Sequence, residues 1–497
     1  MAVQNIPLDF LLSQRLTLPM LDVRSEGEFA SGHIPEAYNL PILNNEERRQ
    51  VGICYKGKGN KAAVLLGYEL VAHKFKDYIK EVFEIAPQKK VFVYCWRGGL
   101  RSSILADLLK NAGFTVYRLK GGYKTYRTWA LAQLTTRKNI QVLGGATGSQ
   151  KTSLLYWLAL QGHQVIDLEG LANHRGSAFG HIGLGNQPSH EQFENRLALE
   201  WSKTNPMKPL WLEDESRMIG KLNLPKAIYE QIRESTLYKL DIPAEERKEY
   251  ILQTYGRMPM EELAAATEKL KRRLGDENFR LAIECLETGD KKGWLDFVMA
   301  YYDKTYLHGN EKRDKENTTL LDKPAFLEKY KSTTPLHSVF LLLGGNVGER
   351  EWMLQQAEKL IGQQVGRLIK KSNRYATKAW GNTEQPDFLN QVLLIGTRLS
   401  AQEVLEKVLA IEQQLGRRRH EKWSPRTIDI DILFYEHEVV ESEGLTLPHP
   451  HLHERRFTLI PLAEITPLFQ HPVMKKTMLE LLDECGDGLE VNLHQIA

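Results

Sequence analysis

At 497 residues the chain exceeds what one hydrophobic core accommodates, and at roughly 150 residues per domain it implies about three domains. Its 42% hydrophobic and 26% charged residues describe an ordinary soluble globular chain, and no apolar run approaches the roughly 18 residues of a membrane helix, so no span is expected. Basic and acidic residues nearly cancel, 66 against 63, so nucleic-acid contact requires a local basic patch instead of a global excess.

In chain order, Met1 to Phe10 lacks the basic start and apolar stretch of a secretory signal, which gives a cytoplasmic expectation. Cys54, Cys95, Cys285 and Cys485 are scattered, so disulfides and zinc are not expected. Leu18 to Val23 and Lys90 to Tyr94 predict short buried strands, and Leu100 to Asn111 a helix, an α/β opening. Between the second strand and that helix lies Cys95-Trp96-Arg97-Gly98-Gly99-Leu100-Arg101. Converging N–H groups, two arginines and a helix N-terminus favour a thiolate there, which makes Cys95 a nucleophile able to carry a persulfide-type intermediate, with Arg101 beside it. A buried structural cysteine is the plain alternative, and the glycines and arginines weigh against it. Together with Asp22-Val23-Arg24-Ser25, Glu28-Phe29, Gly32-His33-Ile34-Pro35 and Asn39-Leu40-Pro41, this loop closely resembles a rhodanese domain, which implies a cysteine that receives and passes on sulfur.

A second strand-loop-helix unit begins at Ile140 to Leu143 and continues into Gly145-Ala146-Thr147-Gly148-Ser149-Gln150-Lys151-Thr152. Gly145 and Gly148 let N–H groups turn onto a phosphate, Lys151 supplies a cation and Thr152 a hydroxyl for Mg²⁺. Gln150 stands where glycine is usual before the lysine, in a backbone conformation glycine adopts more cheaply. Pro209 to Glu215 has the apolar-then-acidic form of a strand carrying a metal-binding carboxylate, Asp214, or simply of a strand end. From Pro243 to Tyr306, segments such as Pro259 to Leu274 have helical period, and Asn310 to Thr334 is polar and reads as a linker. Asp167 to Ala172, His174-Arg175-Gly176-Ser177, Phe179-Gly180, Gln187-Pro188-Ser189, Phe193-Glu194, Glu213 to Arg217 and Tyr301-Tyr302-Asp303 make the first 310 or so residues resemble tRNA 2-selenouridine synthase. The resemblance implies replacement of sulfur by selenium in wobble 2-thiouridine of tRNA, through an S-geranyl intermediate. Selenophosphate and geranyl diphosphate are the implied co-substrates, Cys95 the essential cysteine, and a selenophosphate-supplying enzyme a partner it allows. A tRNA partner fits Arg118 to Lys138, where six basic residues and no acidic one interleave with Tyr123, Tyr126 and Trp129. Lys120, Lys124 and Arg127 are the expected phosphate contacts, against the alternative of a linker helix whose aromatics pack on a neighbouring domain.

The last unit opens with a strand, Ser338 to Leu343. Asp429 and Asp431 alternate along a later strand and so share a face able to bind hard divalent cations, with Arg426 and the basic run Gly416 to Trp423 nearby for a triphosphate and its base. These residues, with Leu343-Gly344-Gly345-Asn346, Gln385 to Asn390 and Leu447-Pro448-His449, closely resemble 6-hydroxymethyl-7,8-dihydropterin pyrophosphokinase over the final 160 or so residues. That implies two Mg²⁺ ions on Asp429 and Asp431, catalytic Arg417 and Arg426, and ATP contacts from Glu412, Trp423, His449 and Arg455. Thr377, Trp380, Phe388, Asn390 and Phe457 would form the pterin pocket. Ser424 and Pro450 depart from the usual residues beside the nucleotide.

The expected architecture is an α/β multidomain chain: a rhodanese-like α/β domain (1–136), a P-loop α/β domain with a helical extension (137–310), a linker (311–336) and an α+β ferredoxin-like pyrophosphokinase (337–497). Two alternatives stay open for the front half: a generic sulfurtransferase, or a non-catalytic tRNA-binding module fused to an active pterin kinase.

Overall fold

The computed structural model describes residues 2–15, 18–311, 317–378, 386–417 and 426–494, with the backbone alone at 307–311. Its first sheet is wholly parallel, in the order β1 (Val3–Ile6), β5 (Thr115–Leu119), β4 (Lys90–Tyr94), β2 (Met20–Asp22), β3 (Tyr38–Asn39). Val91 to Tyr94 are fully buried, as a central parallel strand covered on both faces requires. Helices α1 (Leu8–Gln14), α2 (Glu26–Ser31), α3 (Asn45–Ala72), α4 (Phe75–Ile85), α5 (Leu100–Asn111) and α6 (Gly122–Gln133) accompany it.

The second sheet is also parallel, ordered β12 (Thr318–Leu321), β11 (Thr236–Leu240), β6 (Ile140–Gly145), β8 (Leu210–Glu213), β7 (Gln164–Val165); β9 (Met218–Ile219) and β10 (Leu222–Asn223) form a separate ribbon. Around it lie α7 (Lys151–Leu160), α8 (Leu168–Ala172), α9 (His190–Lys203) and α10 (Lys226–Glu234), then the extension α11 (Ala244–Tyr255), α12 (Met260–Glu268), α13 (Lys271–Leu274), α14 (Asp276–Glu287) and α15 (Lys291–Glu311). The linker expected at 311–336 is corrected here. Thr318 to Leu321 form the edge strand β12, and Lys323–Tyr330 form α16, whose fully buried Phe326 packs with Leu143, Leu158 and Trp211. Leu321, Phe326, Leu327 and Tyr330, scattered in a polar, weakly periodic stretch, escape a composition test, yet they complete this core.

The third sheet is antiparallel: β17 (Asp429–Tyr435), β13 (His337–Gly345), β16 (Phe388–Thr397), β15 (Tyr375–Thr377), β20 (Val491–Leu493), with β14 (Arg367–Lys371) also on β16. Alternation along β13 decides what covers it. Val339, Leu341 and Leu343 face α17 (Arg350–Gln364) and α18 (Ala401–Gln414), while Phe340 and Leu342 face α19 (Arg456–Ile465) and α20 (Met478–Glu484). This unit packs against the other two: Trp352 joins the first core edge-on to Tyr38, ring centroids 5.9 Å apart, and Lys370 Nζ lies 4.6 Å over the Tyr156 ring of α7. Among the described residues no helix is long and apolar enough to cross a membrane.

Candidate functional site

Cys95 follows β4 directly and is nearly buried. Its Sγ accepts from the Gly99 N–H at 3.2 Å and lies 3.2 Å from Ser102 Oγ in the first turn of α5. The loop rests on the start of α6: the N–H groups of Tyr123 and Lys124 donate to the carbonyls of Cys95 (2.8 Å) and Trp96 (3.0 Å). Gly122 is required there, since a Cβ would stand 2.2 Å from the Cys95 carbonyl oxygen at a φ of +61°. Arg101, expected beside the thiol, is engaged elsewhere. Its guanidinium donates to both carboxylate oxygens of Glu28, at 2.6 and 3.2 Å, because Glu28 projects from the capped first turn of α2 toward α5. Beneath the loop the buried Arg24 grips Asp22 and sits 4.0 Å from the Tyr123 ring centroid.

The basic helix α6 also differs from expectation. Tyr123 and Tyr126 are fully buried against α9, and Arg127 pairs with Glu194 and donates to Asn195 Oδ1 at 3.1 Å. Base stacking on those two rings is therefore excluded in this arrangement, and the packed linker helix describes them. Lys120 and Lys124 remain exposed.

In the second unit, Gly145 and Gly148 have positive φ and the phosphate loop leads into α7. Gln150 has φ +60° and ψ +30°, the left-handed region that glycine fills without strain, and its side-chain oxygen accepts from Lys323 of α16 at 3.0 Å. Lys151 Nζ donates to the Gly145 carbonyl at 2.9 Å, and Thr152 Oγ1 donates to Glu213 Oε1 at 2.6 Å. The acid at the end of β8 beside the loop is thus Glu213 and not Asp214, which faces Arg233 at 3.6 Å. Glu169, Glu213 and Glu215 bring oxygens within 4.8 Å of one another. Burial, then mutual repulsion, pushes all three carboxyls up, Glu215 to about 8. Glu213 Oε2 is buried without a hydrogen-bond partner. Hard oxygen donors and an orphaned carboxylate atom beside a hydroxyl fit a divalent cation. The loop and Glu169 and Glu215 line a chamber of about 3540 Å³ where the three units meet, whose walls also include Phe179, Tyr255, Met258, Trp294 and Met299.

In the third unit Asp429 and Asp431 start β17. Asp429 pairs with Arg417 (2.5 Å) and with Arg426, while Arg417 also pairs with Glu412. Burial and then Asp429 push the carboxyls of Asp431 and Glu412 up to about 7. Burial, then Arg455, holds His449 down at about 4. Strand register sets Thr377 opposite Phe388 and Tyr375 opposite Asn390, and the Asn390 amide donates to Thr377 Oγ1 at 2.9 Å. The guanidinium of Arg426 lies 5.5 Å from the Phe388 ring and that of Arg455 lies 5.8 Å from the Phe457 ring. Trp380 and Trp423 lie outside the described residues.

Residues 11–128 match the model of the rhodanese-like domain, residues 138–334 that of the tRNA 2-selenouridine synthase AAA domain, and residues 340–467 that of 7,8-dihydro-6-hydroxymethylpterin-pyrophosphokinase (HPPK). A tRNA 2-selenouridine synthase of Sulfurovum sp. (strain NBC37-1) is 35% identical over 353 residues, covering 63% of this chain and 95% of that protein. The chain belongs to the tRNA 2-selenouridine synthase family. Another of that name, from Marinobacter nauticus, is 35% identical over 325 residues, 58% of this chain and 87% of its own. Behind the part shared with this family the chain carries the HPPK domain as a fusion. A crystal structure of Plasmodium falciparum HPPK-DHPS with pteroate aligns at 14% identity over 30% of this chain and 42% of that one, with a TM-score of 0.25.

Sequence reasoning missed Ser102 and the convergence of Glu169, Glu213 and Glu215 in this tRNA 2-selenouridine synthase family member. Ser102 carried a local signal, one turn into the helix after the cysteine. Glu213 and Glu215 lay in the acidic strand end already singled out, but nothing local joined them to Glu169 or to Thr152, 61 residues before Glu213.

Proposed function

We propose that the front of the chain exchanges sulfur for selenium in wobble 2-thiouridine of tRNA through an S-geranyl intermediate, and that its C-terminal domain transfers pyrophosphate from ATP to 6-hydroxymethyl-7,8-dihydropterin. The observation that carries the first half is the chamber, whose lining includes a phosphate loop, carboxylates, and aromatic and methionine side chains. That combination suits a diphosphate bearing an apolar chain. Lys151 and the loop N–H groups hold the diphosphate, Thr152 with Glu213 would hold Mg²⁺, and the apolar wall takes the geranyl chain. The base sulfur attacks the first geranyl carbon, the carbon–oxygen bond breaks, and pyrophosphate leaves. The Cys95 thiolate attacks C2 of the base, the bond to the geranylated sulfur breaks and geranylthiol leaves; the selenium of selenophosphate then displaces Cys95 from C2, and water takes the phosphoryl group off selenium as phosphate. The Cys95 sulfur is oriented for that attack by the Gly99 N–H.

In the C-terminal domain Asp429 and Asp431 would hold Mg²⁺, which supplies charge neutralisation on the ATP phosphates. Arg417 and Arg426, now paired with Asp429, turn to those phosphates, and Phe388, Phe457 and Asn390 hold the pterin. Its hydroxymethyl oxygen attacks the β-phosphorus and AMP leaves.

The test is mass spectrometry of tRNA nucleosides after incubating wild type, Cys95→Ser and Lys151→Ala with 2-thiouridine tRNA, geranyl diphosphate and selenophosphate. Selenouridine from wild type, with no selenouridine from Cys95→Ser and no geranylation by Lys151→Ala, is expected. Bound tRNA with neither product from wild type would leave a tRNA-binding module fused to the pterin kinase.

A further inference from the structure

Helix α3 buries only Ala63 and Val71 of its 28 residues. Tyr55 to Lys61 are all exposed, nearly two turns with no covered face, and Ile53, Tyr55 and Leu65 are each 58% exposed. Helices in proteins owe most of their stability to burying one face. This one also carries Gly52, Gly57 and Gly67, each of which weakens a helix by about 1 kcal/mol relative to alanine, and Gly59, which breaks its axis at φ +83°. A Cβ at any of these four glycines would meet nothing within 4 Å, so no packing inside the chain accounts for them. Bare backbone on an open face admits close approach by something outside the chain.

Charge identifies the approaching chemistry. From Arg48 to Tyr68 there is no acidic residue and there are five basic ones. Arg48 and Arg49 are held by Glu28 and Glu46, but Lys56, Lys58 and Lys61 are exposed and have no ion-pair partner among the described residues. The Glu28 carboxylate that takes Arg48 at 3.1 Å also takes Arg101 of α5, so this arm is rooted beside the helix that follows Cys95.

We infer that α3 is an RNA-docking arm of the front enzyme: Lys56, Lys58 and Lys61 pair with tRNA phosphates, the neighbouring glycines let the RNA backbone close in, and the exposed rings of Tyr55 and Tyr68 lie against sugar or unpaired base. This rests on the tRNA reading above. A second copy of the chain is the disfavoured occupant, because closing a face on its like would bring uncompensated lysines together away from water.

The experiment titrates full-length wild type and the triple variant Lys56→Ala, Lys58→Ala, Lys61→Ala with tRNA between 50 and 200 mM salt. Acetylation footprinting of the lysines of wild type, with and without tRNA, accompanies it. The arm predicts affinity lower by roughly tenfold or more, a log–log salt slope shallower by about 2 to 3, and tRNA protection of all three lysines, since each phosphate contact contributes about 0.7 to 0.9 to the slope. An unchanged melting temperature of the variant excludes misfolding. Unchanged affinity and slope with tRNA still bound would overturn the arm and spare the front reaction, whereas wild type that binds no tRNA at any salt would overturn both. A wild-type dimer that Tyr55→Ala dissolves without loss of tRNA affinity would make the face a self-interface and also overturn the proposal.

Discussion

Replacing Phe326 by alanine removes a fully buried ring whose centroid lies 5.7 Å from that of Trp211 and 4.9 Å from that of Tyr330. A cavity of that kind costs about 3 to 5 kcal/mol. In a cooperative unit of about 200 residues each kcal/mol lowers Tm by about 2 to 4 °C, so the second unit should melt roughly 6 to 20 °C earlier. Scanning calorimetry of the full chain reads this directly. The same reasoning expects a fragment ending at residue 310 to aggregate, because it lacks β12 and α16, and one ending at 334 to unfold cooperatively. A Tm shift under about 2 °C for Phe326→Ala, which would correspond to less than about 1 kcal/mol, together with a well-folded 1–310 fragment, would refute the claim that this stretch is core and restore a linker.

His33 packs face to face on Phe29, ring centroids 3.7 Å apart, with Nδ1 2.9 Å from the Phe29 carbonyl and Nε2 3.0 Å from the Gln192 amide of the second unit, and burial holds it down at about 3. The unfolded chain therefore binds the extra proton between about pH 6.5 and 3, and stability falls as pH drops through that window, by up to about 1.4 kcal/mol per unit. Thermal melts from pH 7.5 to 5 should show a steeper decline for wild type than for His33→Gln, and parallel declines would reject the assignment. At the phosphate loop, Gln150→Ala keeps the left-handed strain and loses the bond to Lys323, while Gln150→Gly loses the bond and the strain together, so the glycine variant should be the more stable of the two by about 1 kcal/mol in denaturant melts. Equal stabilities would mean the loop relaxes when the side chain goes. Asp431→Asn should abolish pyrophosphate transfer to the pterin while leaving selenouridine formation unchanged; coupled loss of both in a folded variant would contradict separate active sites.

Backbone placement within a turn or along one strand was legible in the residues themselves. Cys95 between a strand and a helix, the glycine-rich run before Lys151, the strained position of Gln150 and the shared face of Asp429 and Asp431 all follow from local backbone geometry, which spacing reports. The three fold classes followed from the same local signals together with the family resemblances. Pairings across the chain were another matter. Arg101 meets Glu28 from 73 residues away, Tyr123 and Tyr126 disappear under α9, and Phe326 completes a core begun by Leu143 and Trp211. Residue type says that a cation seeks a carboxylate and a ring seeks cover, but several partners of each kind compete. Only the packing of the sheets and helices decides which lie within reach, and it left the lysines of α3 in solvent while it occupied the arginine of α6.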